Sequence, residues 1–122
     1  MRGGNPVVLM IEDNENAVML HQRALARHGY VMHSAGTLAA ARQKLQNGGP
    51  VDMVLLDIGL PDGDGLTFLP ELRTLTGAPV MVVSGRRGKD AATRGLQCGA
   101  DAWLQKPYKL DVLCARVGAL LR

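Results

Sequence analysis

Short apolar runs and longer amphipathic stretches alternate along this chain. The runs are Val7–Ile11 (VVLMI), the mixed Val31–Ala35 (VMHSA), Met53–Leu56 (MVLL), Val80–Val83 (VMVV) and the short Ala102–Leu104. Most are rich in Val, Ile and Leu without polar alternation, which suits strands buried on both faces of a parallel sheet. Between them lie stretches with helical spacing. Glu15–His28 places Ala17, Leu20, Ala24 and Leu25 on one side and meets a stop at Gly29. Leu38–Gln46 follows Thr37, a suitable N-cap. Leu66–Leu75 follows the turn LPDGDG, and Asp90–Cys98 precedes Gly99. Leu110–Leu121 carries Leu110, Leu113, Val117, Leu120 and Leu121 at helical period.

Five strand–helix units in strict alternation predict an α/β fold, a doubly wound five-stranded parallel sheet with five helices on its two faces. Right-handed crossovers leave few topologies, and the strand order 2-1-3-4-5 fits. At 122 residues the chain reads as one domain, 1–122, with MRGGNP at 1–6 as a loose lead-in. In such a sheet ligands bind beyond the carboxyl ends of the strands, where strand order reverses. Polar residues fall at those ends. Glu12 and Asp13 close the first strand, Asp57 the third and Ser84 the fourth, and Lys106 follows the fifth.

Composition narrows the picture. With 47% hydrophobic and 20% charged residues, the chain reads as a folded domain and not a disordered tail. The aromatic residues are Tyr30, Phe68, Trp103 and Tyr108, too few for a base-stacking platform. The 15 glycines predict many tight turns. Charge is uneven: residues 1–73 are net acidic and residues 74–122 net basic. The basic half fits solvated helix surfaces better than a nucleic-acid face. Cys98 and Cys114 form no CxxC, so no zinc site or disulfide framework is indicated. Neither a signal peptide nor a membrane span of roughly 18 apolar residues is present, so an intracellular, cytoplasmic location without membrane contact is expected.

Three carboxylates brought to one rim raise each other's pKa or hold a cation. Oxygen donors without His or Cys select a hard divalent ion, Mg²⁺ (or Mn²⁺) before Zn²⁺. Ser84 and Lys106 can donate to phosphoryl oxygens, and a carboxylate can be the nucleophile that forms an acyl phosphate. Glu12 and Asp13 are neighbours, suited to sharing a metal. Asp57 stands alone at the centre of the sheet and is the better nucleophile.

The chain resembles a receiver domain of the bacterial two-component response regulators. The matching segments are VVLMIEDN at Val7–Asn14, VLLDIGLPDGDG at Val54–Gly65, PVMVVSG at Pro79–Gly85 and GADAWLQKPY at Gly99–Tyr108. Asp57 lies 44 residues after Asp13, Ser84 27 after Asp57, and Lys106 22 after Ser84. The resemblance covers about residues 6–122 and implies the flavodoxin-like receiver fold. It implies that Asp57 accepts a phosphoryl group and that Glu12, Asp13 and the backbone carbonyl of Gly59 bind Mg²⁺ with it. Ser84 and Lys106 would bond the phosphoryl group. The Lys106–Pro107 bond would be cis, and Trp103 would be the switch aromatic. The phosphodonor would be a sensor histidine kinase docking near the first helix.

The closest flavour is the OmpR/PhoB group, which implies an output face of the fourth helix, fifth strand and fifth helix. Arg94, Asp101 and Arg116 fit its charged dimer network. Ala92, Ala102 and Val112 stand where charges are usual, so at least one bridge across a homodimer is missing. DNA would be reached only through a separate effector domain, making this a phosphorylation switch in transcription regulation and not an enzyme. Gly59 has no side chain where many receivers carry Met, Lys or Asn, which leaves the acyl phosphate open to water unless Arg86 covers it.

Other motifs fail. Gly88-Lys89 lacks the rest of a phosphate loop, and Asp62-Gly63-Asp64-Gly65 lacks the later ligands of a calcium loop. His21, His28 and His33 lack metal or triad spacing and read as surface or satisfied histidines. Met10, Met19, Met53 and Met81 read as core. Two other function classes compete. A small aspartyl-phosphate phosphatase wants an aspartate two residues after the nucleophile, where Gly59 stands. A flavodoxin-like electron carrier wants a hydroxyl-rich phosphate loop, where Glu12-Asp13-Asn14-Glu15 stands. A stand-alone single-domain regulator is the alternative to a transcription factor.

Overall fold

The computed structural model describes residues 4–85, 97 and 99–122. Its main sheet is parallel and has the order β2-β1-β3-β4-β5, as the alternation predicted. The strands are β1 (Val7–Ile11), β2 (Val31–Ala35), β3 (Met53–Asp57), β4 (Val80–Ser84) and β5 (Ala102–Gln105). Three strands run one residue beyond the apolar runs, so Asp57, Ser84 and Gln105 remain in the sheet. Asp57 pairs with Val83, and Ser84 with Gln105. Every position of β1, β3 and β4 is buried, which is why those sequences lack alternation. Strand β2 is an edge with Val31 and His33 exposed and Met32 buried, and its mixed composition follows.

Four helices lie among the described residues: α1 (Glu15–Ala26), α2 (Leu38–Gln46), α3 (Gly65–Leu75) and α4 (Leu110–Leu121). The fifth expected helix, Asp90–Cys98, falls outside the described residues except for Gln97. Alternate strand residues point to opposite faces. Leu9, Ile11, Val54 and Leu56 pack with Leu38 and Leu45 of α2 and Phe68 and Leu72 of α3. Val8, Met10, Met53 and Leu55 pack with Leu25 of α1 and Leu113 and Val117 of α4. No helix among the described residues is long and apolar enough to cross a membrane.

The caps explain where the helices begin. Asn14 Oδ1 accepts from the Ala17 N–H, Thr37 Oγ1 from Ala40 and Asp64 Oδ1 from Leu66. The LPDGDG segment is more than a turn. Gly59–Leu60 and Gly63–Asp64 pair antiparallel, and Asp62 accepts from the N–H groups of Leu38 and Ala39, giving α2 a second cap from a distant loop. Helix α1 ends at Ala26, two residues before the expected His28, because Gly29 at φ +81° reverses the chain.

Two side chains correct the expected buried faces. Leu20 is 50% exposed and Met19 is 42% exposed, so neither is core. The buried stripe of α1 is His21, Ala24 and Leu25, the i, i+3, i+4 set that puts Leu20 to one side.

Candidate functional site

Strand parity assembles the rim. Glu12 follows Ile11, Asp57 follows Leu56 and Lys106 follows Gln105, so all three share the phase of Met10, Leu55 and Leu104 on the α1–α4 side. Ser84 and Trp103 have the opposite phase, that of Val82 on the α2–α3 side. The candidate acidic and ammonium groups thus lie on one face of the sheet, and Ser84 and Trp103 belong to the other.

The carboxylates converge as expected. One oxygen from each of Glu12, Asp13 and Asp57 lies within 4.8 Å of the others. Glu12 is 5% exposed and Asp57 is 8% exposed, whereas Asp13 is open to solvent. Lys106 Nζ stands between two of them, 3.4 Å from Asp57 Oδ2 and 3.6 Å from Glu12 Oε1. Its backbone N–H donates to the Ser84 carbonyl at 2.7 Å, which seats the lysine against the end of β4. The Lys106–Pro107 peptide is cis. The Gly59 N–H donates to Asp57 Oδ1 at 3.3 Å, and the Asn14 N–H donates to Glu12 Oε2 at 3.2 Å.

Burial pushes the Glu12 carboxyl up to about 7. The Asn14 N–H opposes this, while Asp57 and Asp13 reinforce it. Among the described residues, Lys106 is the ammonium that faces this desolvated carboxylate, which two others crowd. An all-oxygen set of that kind fits a hard divalent cation. Chemically, the arrangement offers a carboxylate nucleophile, Asp57, beside a fixed ammonium, with room for a cation to offset the charge of an incoming anion.

The remaining candidates are scattered. Ser84 is fully buried, one residue past the register partner of Asp57. Trp103 is half-buried, pairs with Val82 and packs against the α2–α3 layer. Gly59 is exposed, and a Cβ built on it meets nothing within 4 Å among the described residues. Arg86 and Arg94 lie outside the described residues. Arg116 is exposed on α4. Asp101 is already engaged within the chain, because its Oδ2 accepts from the Val80 N–H at 2.8 Å and from the Arg73 guanidinium. Arg73 also donates to the carbonyls of Gly99 at 2.8 Å and Ala78 at 2.6 Å.

Two residues next to the site escaped the sequence. His21 Nε2 lies 2.7 Å from the Tyr108 hydroxyl, two residues beyond Lys106. The available signals were a histidine set among Ala17, Ala24 and Leu25 on an apolar stripe, and a phenol directly after the Lys–Pro pair. Neither signal alone says that the two side chains meet.

Comparison with known proteins agrees with this fold. The model of the response regulator receiver domain matches residues 8–118. The chain is 39% identical over 119 residues to the transcriptional regulatory protein BasR of Escherichia coli K12, covering 94% of this chain and 52% of that one. It is 36% identical over 115 residues to the KDP operon transcriptional regulatory protein KdpE of the same strain, covering 94% and 51%. The chain spans about half the length of the curated relatives it matches. Among solved structures, a two-component response regulator from Clostridium difficile superposes with a TM-score of 0.91 at 27% identity, covering 97% of each chain. The BeF3-activated N-terminal receiver domain of Klebsiella pneumoniae RstA gives 0.87 at 27% identity, covering 95% of this chain and 98% of that one.

Proposed function

This chain belongs to the response regulator receiver domain family, and from that premise we propose that Asp57 accepts a phosphoryl group from a sensor histidine kinase and so switches an output face. One observation carries the reading. A buried Asp57 sits with Lys106 Nζ 3.4 Å away, inside a cluster of three carboxylates.

The residues divide the work as follows. Glu12, Asp13, Asp57 and the Gly59 carbonyl would hold Mg²⁺ or Mn²⁺, which would supply positive charge to offset that of the phosphoryl oxygens. An Asp57 carboxylate oxygen attacks phosphorus in line. The bond from phosphorus to the donor's imidazole nitrogen breaks, and the imidazole leaves. Lys106 keeps one phosphoryl oxygen paired, and the Ser84 hydroxyl turns to bond another. The product adds about −1.5 to −2 of charge and three acceptor oxygens to the rim. Movement of Ser84 opens space on the α2–α3 side, the face on which Trp103 packs, and Trp103 rotates into it. The surface of β5 and α4 then shifts between two states.

The kinase docks on α1, where exposed Leu20 borders a groove of about 390 Å³ that reaches Lys106. BasR and KdpE are about twice as long as this chain, and by analogy with them the output is a DNA-binding effector controlling transcription. Pairing of two copies through β5, α4 and Arg94 is the accompanying dimer mode. The domain acts once per phosphorylation, as a switch and not a turnover enzyme, in the cytoplasm where the kinase presents its phosphohistidine.

Incubation with Mg²⁺ and acetyl phosphate tests the reading. One phosphoryl mass is gained, Trp103 fluorescence changes with it, and Asp57→Asn abolishes both. Uptake by Asp57→Asn at the wild-type rate would overturn the assignment.

A further inference from the structure

The segment that carries Lys106 leaves the sheet at Gln105 and reaches the first turn of α4 at Leu110. The site needs the lysine at one place between Glu12 and Asp57, yet its side chain is long and has many rotamers. Tyr108 lies in this segment. Its ring packs against the α1–α4 layer, and its hydroxyl meets His21 on α1 at 2.7 Å. The two rings touch edge to face, with centroids 5.8 Å apart and planes at 80°.

The direction of the bond follows from the other ring nitrogen. His21 Nδ1 is 2.7 Å from the Ala17 carbonyl, which can only accept. Nδ1 therefore carries the proton, and Nε2 of the neutral ring presents a lone pair. The Tyr108 hydroxyl donates to it. Both groups are held in the forms that this bond requires. Burial, with the nearby Lys106 charge, keeps the imidazole below its usual pKa against the pull of the Ala17 carbonyl. Burial and the charges of Glu12 and Asp57 push the phenol up to about 12, so it remains protonated. His21 is buried and Tyr108 is half-buried, which limits the water that competes for the bond.

We propose that the hydrogen bond from Tyr108 to His21 is a positioning clasp, which pins the Lys106–Tyr108 segment to α1 and thereby fixes the Lys106 ammonium between Glu12 and Asp57. Neither residue touches the reacting atoms, and both act through Lys106. The clasp also ties the lysine to the helix proposed above to receive the kinase. The proposal deepens the phosphorylation reading and rests on it for its purpose, although the clasp itself is a statement about Lys106.

The test therefore reads Lys106 directly. The whole chain, free of metal, is treated with a small amine-acylating reagent, and the modification rate at Lys106 is followed by mass spectrometry. The same variants are then phosphorylated with acetyl phosphate and Mg²⁺. Tyr108→Phe keeps the ring and removes the donor, and it exposes Lys106 to labelling roughly threefold to tenfold faster, the scale of one lost hydrogen bond. His21→Leu does the same, and adding it to Tyr108→Phe changes nothing more. His21→Gln, whose amide oxygen can accept from the phenol, restores protection, which a purely structural role in packing α1 would not produce. Labelling of Tyr108→Phe at the wild-type rate overturns the proposal, as does an additive double variant. Release of Lys106 without any phosphate uptake by wild type supports the clasp and sinks the phosphorylation reading instead.

Discussion

A Cβ placed on Gly65 would stand 2.6 Å from the carbonyl oxygen of Asp57 and 2.8 Å from the Cα of Ile58. The Gly65 N–H also donates to the Ile58 carbonyl at 2.9 Å. Helix α3 thus begins directly against the strand end that presents Asp57, the proposed nucleophile. Both crowding atoms are backbone, so neither can swing aside as a side-chain tip would.

Gly65→Ala is therefore expected to destabilise the fold by about 1–3 kcal/mol, the usual cost of overpacking. Urea unfolding reads this as a lower midpoint at unchanged slope. Phosphate uptake slows as well, because the displaced backbone is that of Asp57. A variant as stable and as active as wild type would show that α3 has room to retreat.

The Glu12 carboxyl gives stability a pH dependence of unusual sign for an acid. Its folded pKa is raised from 4.5 to about 7 by burial. Between those values the folded chain holds a proton that the unfolded chain has released. The folded state binds more protons there, so this contribution is fully present below pH 4.5 and is lost as pH rises through 7. Cation binding needs the charged form, so Mg²⁺ affinity climbs over the same window. Urea midpoints in a chelator at pH 5 and pH 8 check the first statement, with Glu12→Gln as comparison. The difference shrinks in the variant, and an undiminished difference would assign the slope to another group.

Much of this arrangement was legible in the chain. The uninterrupted VVLMI, MVLL and VMVV runs announce strands buried on both faces, and a polar residue after each marks the carboxyl rim. Parity and strand order then bring Glu12, Asp57 and Lys106 together without further information. What the pattern could not supply was contact across the layers. His21 looked like one histidine among three, because its partner Tyr108 lies 87 residues away. Leu20 looked like core because a hydrophobic side chain one position off the buried stripe has the same composition as one on it. Asp62 looked like part of a turn, although it caps a helix that starts 24 residues earlier.

Asp101 illustrates the same limit and yields a third prediction. By position it fits a bridge between two copies of the chain, yet its carboxylate is committed to the Val80 N–H and to Arg73. Asp101→Ala leaves a partly buried N–H at the start of β4 without its acceptor, at a cost of about 1 kcal/mol. The loss shows in the unfolding midpoint of the unphosphorylated domain at concentrations where no dimer forms. Full stability combined with weaker phosphorylation-dependent dimerisation would move its role from within the chain to between chains.

The lifetime of the phosphorylated state is expected to depend on Gly59. Its N–H donates to Asp57 Oδ1, so the residue sits at the edge of the proposed nucleophile, yet a Cβ there meets nothing within 4 Å among the described residues. An acyl phosphate on Asp57 is hydrolysed when water reaches phosphorus in line, and a residue two positions further on borders that approach. Glycine leaves it open unless Arg86, outside the described residues, covers it. Among the described residues nothing crowds a side chain at position 59, so Gly59→Met is accommodated, and its thioether chain covers the phosphoryl group. Water entry is then hindered while the backbone carbonyl is kept. The half-life of the phosphorylated domain lengthens several-fold, with uptake from acetyl phosphate little changed. Equal half-lives for wild type and variant would mean that water arrives from another side, and that the open space at Gly59 has no bearing on how long the signal lasts.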